Sequence, residues 1–286
     1  MCGLAGFAGI SGPTRMLLAY ALGTEIDVRG GDAIGFVTLR DGKPIHGKKS
    51  GEWSGAKRRF WAAVASGETS MLHARFATCG LDRRSVLDAH PFVIRRRGRT
   101  LYGAHNGMIY DARESAVRHK RPYTVDSKEL YELLADGQFA SISQLSGYGV
   151  LTWVDSDDLA SVHLARISDN GEIYVVALAS GGYVWGSTRD IVHSACEFAE
   201  VDISEQIEIA TGIVHTLSAD GVFALVDHPR VEVDCFRRTT RREGSLWDAI
   251  VDDDDDDDND ALTDEYFRLT SNAADDRAFN EWLASK

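Results

Sequence analysis

The chain has 286 residues, 44% of them hydrophobic and 26% charged, which is enough length for a real core and the composition of a globular protein. It contains no apolar run long enough to span a bilayer and does not open with a basic segment followed by an apolar stretch, so the sequence predicts a cytoplasmic protein with no membrane segment. The formal net charge of -13 is unevenly spread: residues 252–286 hold 13 acidic against 3 basic side chains, a net of -10, which leaves -3 for everything before them. The part expected to fold is therefore nearly neutral, and nucleic acid is not indicated as a partner. Four cysteines, Cys2, Cys79, Cys196 and Cys235, lack CxxC spacing, against a zinc site or a disulfide framework and in favour of a reducing compartment.

In chain order, the first helix is expected over 13–22, with Ser11 near its start, and the first clear strand over 35–39. A helix over 56–65 sets Phe60, Trp61 and Val64 on one side. Strands follow at 71–78 and 101–105, then a helix over 127–134 with Asp126 as its cap and Leu130, Leu133 and Leu134 at helical spacing. Further strands are read at 149–154, 160–167, 172–179 and 183–186. The turn signal Asp169-Asn170-Gly171 predicts a hairpin between 159–168 and 172–180. Strands clustered in sequence, with helices between them, give an α+β fold of antiparallel sheets covered by helices. Beyond about residue 225 the pattern stops. Residues 226–250 read as a linker with the basic run Arg237 to Arg242, and 251–286 as an acidic tail with seven consecutive aspartates, expected to be disordered with at most a short helix.

Cys2 carries the most chemical information. Trimming of Met1 would leave a cysteine that bears both a nucleophilic sulfur and an α-amine with a reference pKa of roughly 7.7–8.0, so that nucleophile and general base arrive in one residue. Downstream stand Arg29-Gly30-Gly31-Asp32-Ala33-Ile34-Gly35, then His73-Ala74-Arg75-Phe76-Ala77-Thr78-Cys79-Gly80, then Ala89-His90-Pro91, His105-Asn106-Gly107 and Asp126-Ser127. Taken with the opening Cys2-Gly3, these six segments, in this order, resemble the class II (N-terminal-nucleophile) glutamine amidotransferases, whose glutaminase domain occurs in glucosamine-6-phosphate synthase. The resemblance covers about residues 2–225. Two positions depart from it: Phe76 stands where the family often has Trp, and Cys79 where it often has His.

The resemblance implies a four-layer αββα sandwich of two antiparallel sheets, and a glutaminase that cleaves the side-chain amide of glutamine through a Cys2 thioester. It assigns the oxyanion hole to the Asn106 side chain and the Gly107 backbone, and positioning of the terminal amine to Arg29. It gives the glutamine α-carboxylate to Arg75 and Thr78, the pocket wall to Phe76 and the α-ammonium to Asp126. No cofactor and no metal is implied. Each residue also has a structural reading: Arg75 as a salt-bridged strand residue, Asn106-Gly107 as a turn, Asp126 as a helix cap, and His73, His90 and His105 as hydrogen-bonding core residues. Nothing in the chain corresponds to an ammonia-accepting domain, so the expected partner is a separate synthase. The alternatives are a stand-alone amidohydrolase acting on another γ-glutamyl amide, or a catalytically idle binding module.

Overall fold

The computed structural model describes residues 2–77 and 85–234. Thr78, Cys79 and, from residue 235 on, the linker and acidic tail read from the sequence lie outside the described residues. Strand β1 (Gly3–Ala8) is buried along its whole length because it runs through the middle of a seven-stranded sheet. The order is β11 (Ile203–Ile207), β9 (Tyr174–Leu178), β10 (Tyr183–Gly186), β1, β4 (Thr69–Arg75), β2 (Ala33–Arg40) and β3 (Lys43–Ser50). The second sheet has six strands: β13 (Gly221–Ala224), β12 (Val214–Ser218), β8 (Asp158–Arg166), β7 (Gly147–Asp155), β6 (Arg99–Ile109) and β5 (Phe92–Arg96). All strand pairings in both sheets are antiparallel.

Side chains alternate across each strand, and here both faces are buried. Strand β1 sends Ala5 and Phe7 into one apolar layer and Leu4 and Ala8 into another. The first layer lies under helices α1 (Thr14–Asp27), α2 (Arg58–Val64) and α6 (Arg189–Phe198). The second holds Val37, Met71, Val150, Val162, Leu164 and Trp185, drawn from both sheets, and so is the seam between them. Strand β7 gives Val150 and Val154 to that seam. Its Leu151 and Trp153 enter a third layer, under α3 (Ala112–Arg118), α4 (Asp126–Ala135) and α5 (Phe139–Ile142). Helices, sheet, sheet, helices: this is the four-layer αββα architecture expected from the sequence. No helix among the described residues is long and apolar enough to cross a membrane.

The hairpin expected around Asp169-Asn170-Gly171 does not form. Strand β8 pairs with β7 and β12 in the second sheet, whereas β9 pairs with β10 and β11 in the first, so this turn carries the chain from one sheet to the other. The reason is burial on two faces. Both strands place apolar side chains in the seam and in a helix-covered layer, which a two-stranded hairpin would leave in water. The chain stays packed beyond β13: Val231 and Val233 are buried in the third layer, and the Asp234 N–H donates to the Leu145 carbonyl at 2.8 Å.

Candidate active site

The pocket forms where the ends of β1, β4 and β6 meet the start of α4. Cys2, just ahead of β1, has its sulfur against the backbone of Phe76, which follows β4: the Phe76 N–H donates to Sγ at 3.4 Å, and the thiol lies 3.6 Å from the Phe76 carbonyl oxygen. The pairing of β1 with β4, with Gly3 opposite Ala74, is what brings residues 74 apart in sequence together. Burial pushes the Cys2 thiol up from its ordinary value, more than the Phe76 N–H pulls it down. A nucleophilic role for this thiol would therefore call for a base.

The loop between α1 and β2 explains the Arg29-Gly30-Gly31-Asp32 pattern. Arg29 Nε donates to the Cys2 carbonyl at 3.1 Å, and the Asp32 carboxylate accepts from the Ala77 N–H at 2.7 Å. Between them the backbone presses against β4 so closely that a Cβ on Gly30 would lie 2.6 Å from the Arg75 carbonyl carbon. The loop thus clamps the strand end at Cys2 and the segment that follows Arg75.

Strand alternation sorts the His105-Asn106-Gly107 triplet. The three residues do not form a turn: they lie in mid-strand, opposite Leu151, Val150 and Gly149 of β7. His105 faces α4, with its Nδ1 2.9 Å from Ser127 Oγ, while Asn106 faces the seam and donates from Nδ2 to Ser187 Oγ at 2.9 Å. Gly107 is required by crowding, since a Cβ there would collide with the Tyr148 carbonyl and lie 2.6 Å from Gly149 Cα.

Asp126 opens α4, but the cap position is Val125 and no side chain caps the helix. Its carboxylate turns instead to β6, accepting from the Ile109 N–H at 2.8 Å and from the Ser127 hydroxyl at 3.2 Å. One pocket is lined by Cys2, Arg75, Phe76, Gly107 and Asp126, with Ala77, Asp88, His90, His105, Val125 and Ser127 completing it. Its empty volume, open mouth included, is about 340 Å³. Arg75 is buried, at 4% exposure. Asn106 stands behind this lining, on Ser187, and Arg29 beside it, on the Cys2 carbonyl.

Two contributors carry no role in the reading from sequence, and three core histidines complete the setting. Ser187 Oγ accepts from the Leu4 N–H at 2.9 Å and donates to the Leu4 carbonyl at 3.1 Å, besides holding Asn106. The run Ser187-Thr188-Arg189-Asp190 is plain in the sequence, but the partners of Ser187 are 81 and 183 residues away. Lys48 donates to the Ala89 carbonyl at 2.8 Å, and burial pushes its pKa down to about 8; it anchors the segment that carries Asp88 and His90. Finally, His73, His90 and His105 form a buried group at the pocket, His90 and His105 in its lining and His73 behind them. The His73 and His90 rings are 4.0 Å apart between centroids, and His73 Nε2 is 3.3 Å from the His105 carbonyl oxygen.

The fold is a four-layer αββα sandwich of two antiparallel sheets, with Cys2 just ahead of a central strand of the first. No family model matches the sequence, and no curated protein does. Solved structures do match. One is described as the allosteric regulatory enzyme of purine biosynthesis (TM-score 0.62, 17% identity, covering 78% of this chain and 48% of that one). Another is the glutamine phosphoribosylpyrophosphate amidotransferase from B. subtilis, complexed with ADP and GMP (TM-score 0.59, 18% identity, with the same coverages of 78% and 48%). The chain thus spans about half the length of these structures, and at this identity the likeness is one of fold.

Proposed function

We propose that this protein is a glutaminase of the class II glutamine amidotransferase type, with Cys2 as nucleophile and glutamine as substrate. One observation carries the reading: Cys2, Arg75, Gly107 and Asp126, from four separate elements, line a single pocket. With Met1 removed, the α-amine of Cys2 takes the thiol proton, and the sulfur attacks the side-chain amide carbon. The oxyanion that develops is met by the Asn106 side-chain amide and the Gly107 N–H, each worth about 3–4 kcal/mol in the transition state. Ammonia leaves with the proton held by the amine. Water, deprotonated by the same amine, then hydrolyses the thioester to glutamate. Arg75 offers a planar fork to the α-carboxylate, and Asp126, oriented by Ile109 and Ser127, offers its carboxylate to the α-ammonium. Phe76 holds the sulfur through its backbone, and Thr78 would add a hydrogen bond at the carboxylate. A separate synthase would consume the ammonia.

The test is glutamate release from L-glutamine by three proteins: wild type, Cys2→Ala, and a form in which Met1 is retained. Cys2→Ala should lose activity by at least about 10⁴-fold while folding normally. Retention of Met1 should cost nearly as much, because it leaves the thiol and masks only the amine. Full activity with Met1 in place would show that another base serves the sulfur.

A further inference from the structure

Lys48 stands on β3 opposite Gly35 of β2. A Cβ on Gly35 would collide with the His90 carbonyl and lie 3.0 Å from Pro91 Cδ. The segment Ala89-His90-Pro91 therefore lies flat on the strand, and Lys48 reaches across to it. Its Nζ donates to the Ala89 carbonyl at 2.8 Å and stands 5.5 Å from the centre of the Phe92 ring, at the start of β5. This segment supplies one wall of the Cys2 pocket, through Asp88 and His90. Among the described residues its other ties are local or apolar. The Ala89 N–H donates to the Val86 carbonyl at 3.3 Å, within the same stretch of chain. Both ring nitrogens of His90, 5% exposed, lack a hydrogen-bond partner, and its ring rests on those of His73 and Phe92, at 4.0 and 4.6 Å between centroids. The polar bond that fixes this wall to the sheet is the one from Lys48.

The charges that face the Lys48 ammonium are Asp88 in the wall itself, Lys128 on α4 and Arg75 on β4. His46 on its own strand and His90 beside it also feel it, and burial holds both imidazoles below their ordinary pKa. Burial, aided by Lys128 and Arg75, outweighs the attraction of Asp88 and pushes the Lys48 pKa down to about 8. We propose that Lys48 is a positioning residue for the substrate: its bond to Ala89 holds the Asp88–His90 wall at the spacing that L-glutamine requires. This rests on the Cys2 reading given above. Lys48 does not itself line the pocket, so it acts through the wall and not on the reacting atoms, and KM is the constant it governs. A charged donor makes a bond roughly twice as strong as a neutral one. The wall therefore loosens, and affinity falls, as pH rises through about 8 and the ammonium gives up its proton.

The experiment follows glutamate release from L-glutamine between pH 7 and pH 9, using the full chain with Met1 removed, as wild type, Lys48→Met and Lys48→Arg. At pH 7, Lys48→Met should raise KM by about tenfold, the worth of one hydrogen bond from a charged group, with kcat within about threefold. Arginine stays charged over the whole range, so the ratio of wild-type KM to that of Lys48→Arg should climb by about threefold or more from pH 7 to pH 9. Every other titrating group, the Cys2 amine and the substrate's own amine included, is common to both proteins and drops out of that ratio. A lysine that only stabilises the fold would leave the ratio flat. A flat ratio, or a Lys48→Met variant that loses kcat with KM intact, would overturn the proposal while leaving the glutaminase reading standing. Should Lys48→Met fail to fold, the ratio alone decides. No glutamate from the wild type at any pH would overturn the glutaminase reading and this role with it.

Discussion

Ser187 shows what a single hydroxyl can hold. It accepts the Leu4 N–H and the Asn106 amide and donates to the Leu4 carbonyl, and so ties the strand that follows the nucleophile to the side chain proposed to stabilise the oxyanion. Ser187→Ala leaves two buried donors unpaired, at about 1–3 kcal/mol of stability each at most, and frees the Asn106 amide to rotate. The expected kinetic signature is a fall in kcat of about tenfold with KM nearly unchanged, because the group lost acts through the transition state. Asn106→Ala should cost about 10²–10³ in kcat. A rise in KM with kcat intact, in either variant, would place these residues in substrate binding instead. At this scale a sequence exposes types and order but not partners. Arg29, Asp32, Arg75, Asn106 and Asp126 stand out in it, whereas the bonds that join them span tens of residues. Asp126 is the sharpest case: it has the position and chemistry of a helix cap, and its carboxylate goes to Ile109 on a neighbouring strand.

Among the elements, β6 decides most about the site. It is 11 residues long, and because it continues through Asn106 and Gly107, alternation sends His105 toward α4 and Asn106 into the seam. Sequence alone reads Asn-Gly as a turn; the unbroken pairing with β7 overrides that preference. The missing hairpin at Asp169-Asn170-Gly171 has the same cause, local turn chemistry yielding to strands buried on both faces. Helices α1 and α4 form where the apolar spacing predicts them but extend further: α1 runs on to Asp27, taking in the buried Ile26, and α4 to Ala135, two residues before the positive-φ Gly137. Burial of His73, His90 and His105 between these elements has a thermodynamic consequence. Burial lowers all three pKa values, His73 to about 3 from 6.5, so the folded protein stays unprotonated there while the unfolded chain takes up protons near 6.5. Stability is then complete above about pH 6.5 and drains away as pH falls from there toward 3. Urea midpoints measured between pH 7.5 and pH 5 should decline steadily. His90→Met should reduce the proton uptake on unfolding by about one; an unchanged pH slope in that variant would mean His90 is charged in the fold.

At the scale of the whole molecule, three apolar layers account for the architecture, and the described residues that build them run from Leu4 to Val233. The four-layer sandwich is foreseeable because six short motifs in order carry the resemblance to the class II glutamine amidotransferases that implies it. Overall identity of 17–18% to structures of the same fold shows how little of the remaining sequence that arrangement needs. The charge is distributed on the opposite principle. Of the -13, residues 252–286 carry -10, and the run of seven like charges in them predicts a segment that contributes nothing to a core. Its removal should therefore cost the catalytic unit almost nothing. A chain ending at Val251 should melt within about 2 °C of the full chain, a shift that corresponds to about 1 kcal/mol or less, and should hydrolyse L-glutamine with kcat/KM within about twofold. From sequence the segment reads as a solubilising appendage or, as we propose, as an acidic tether with Tyr266, Phe267, Phe279 and Trp282 as apolar anchors for a separate synthase. Pull-downs with the full and the shortened chain would then differ in their partners while the isolated activities agree. Identical partners would remove the tether, and a loss of hydrolysis or a large drop in melting temperature on truncation would mean that the segment packs on the catalytic unit.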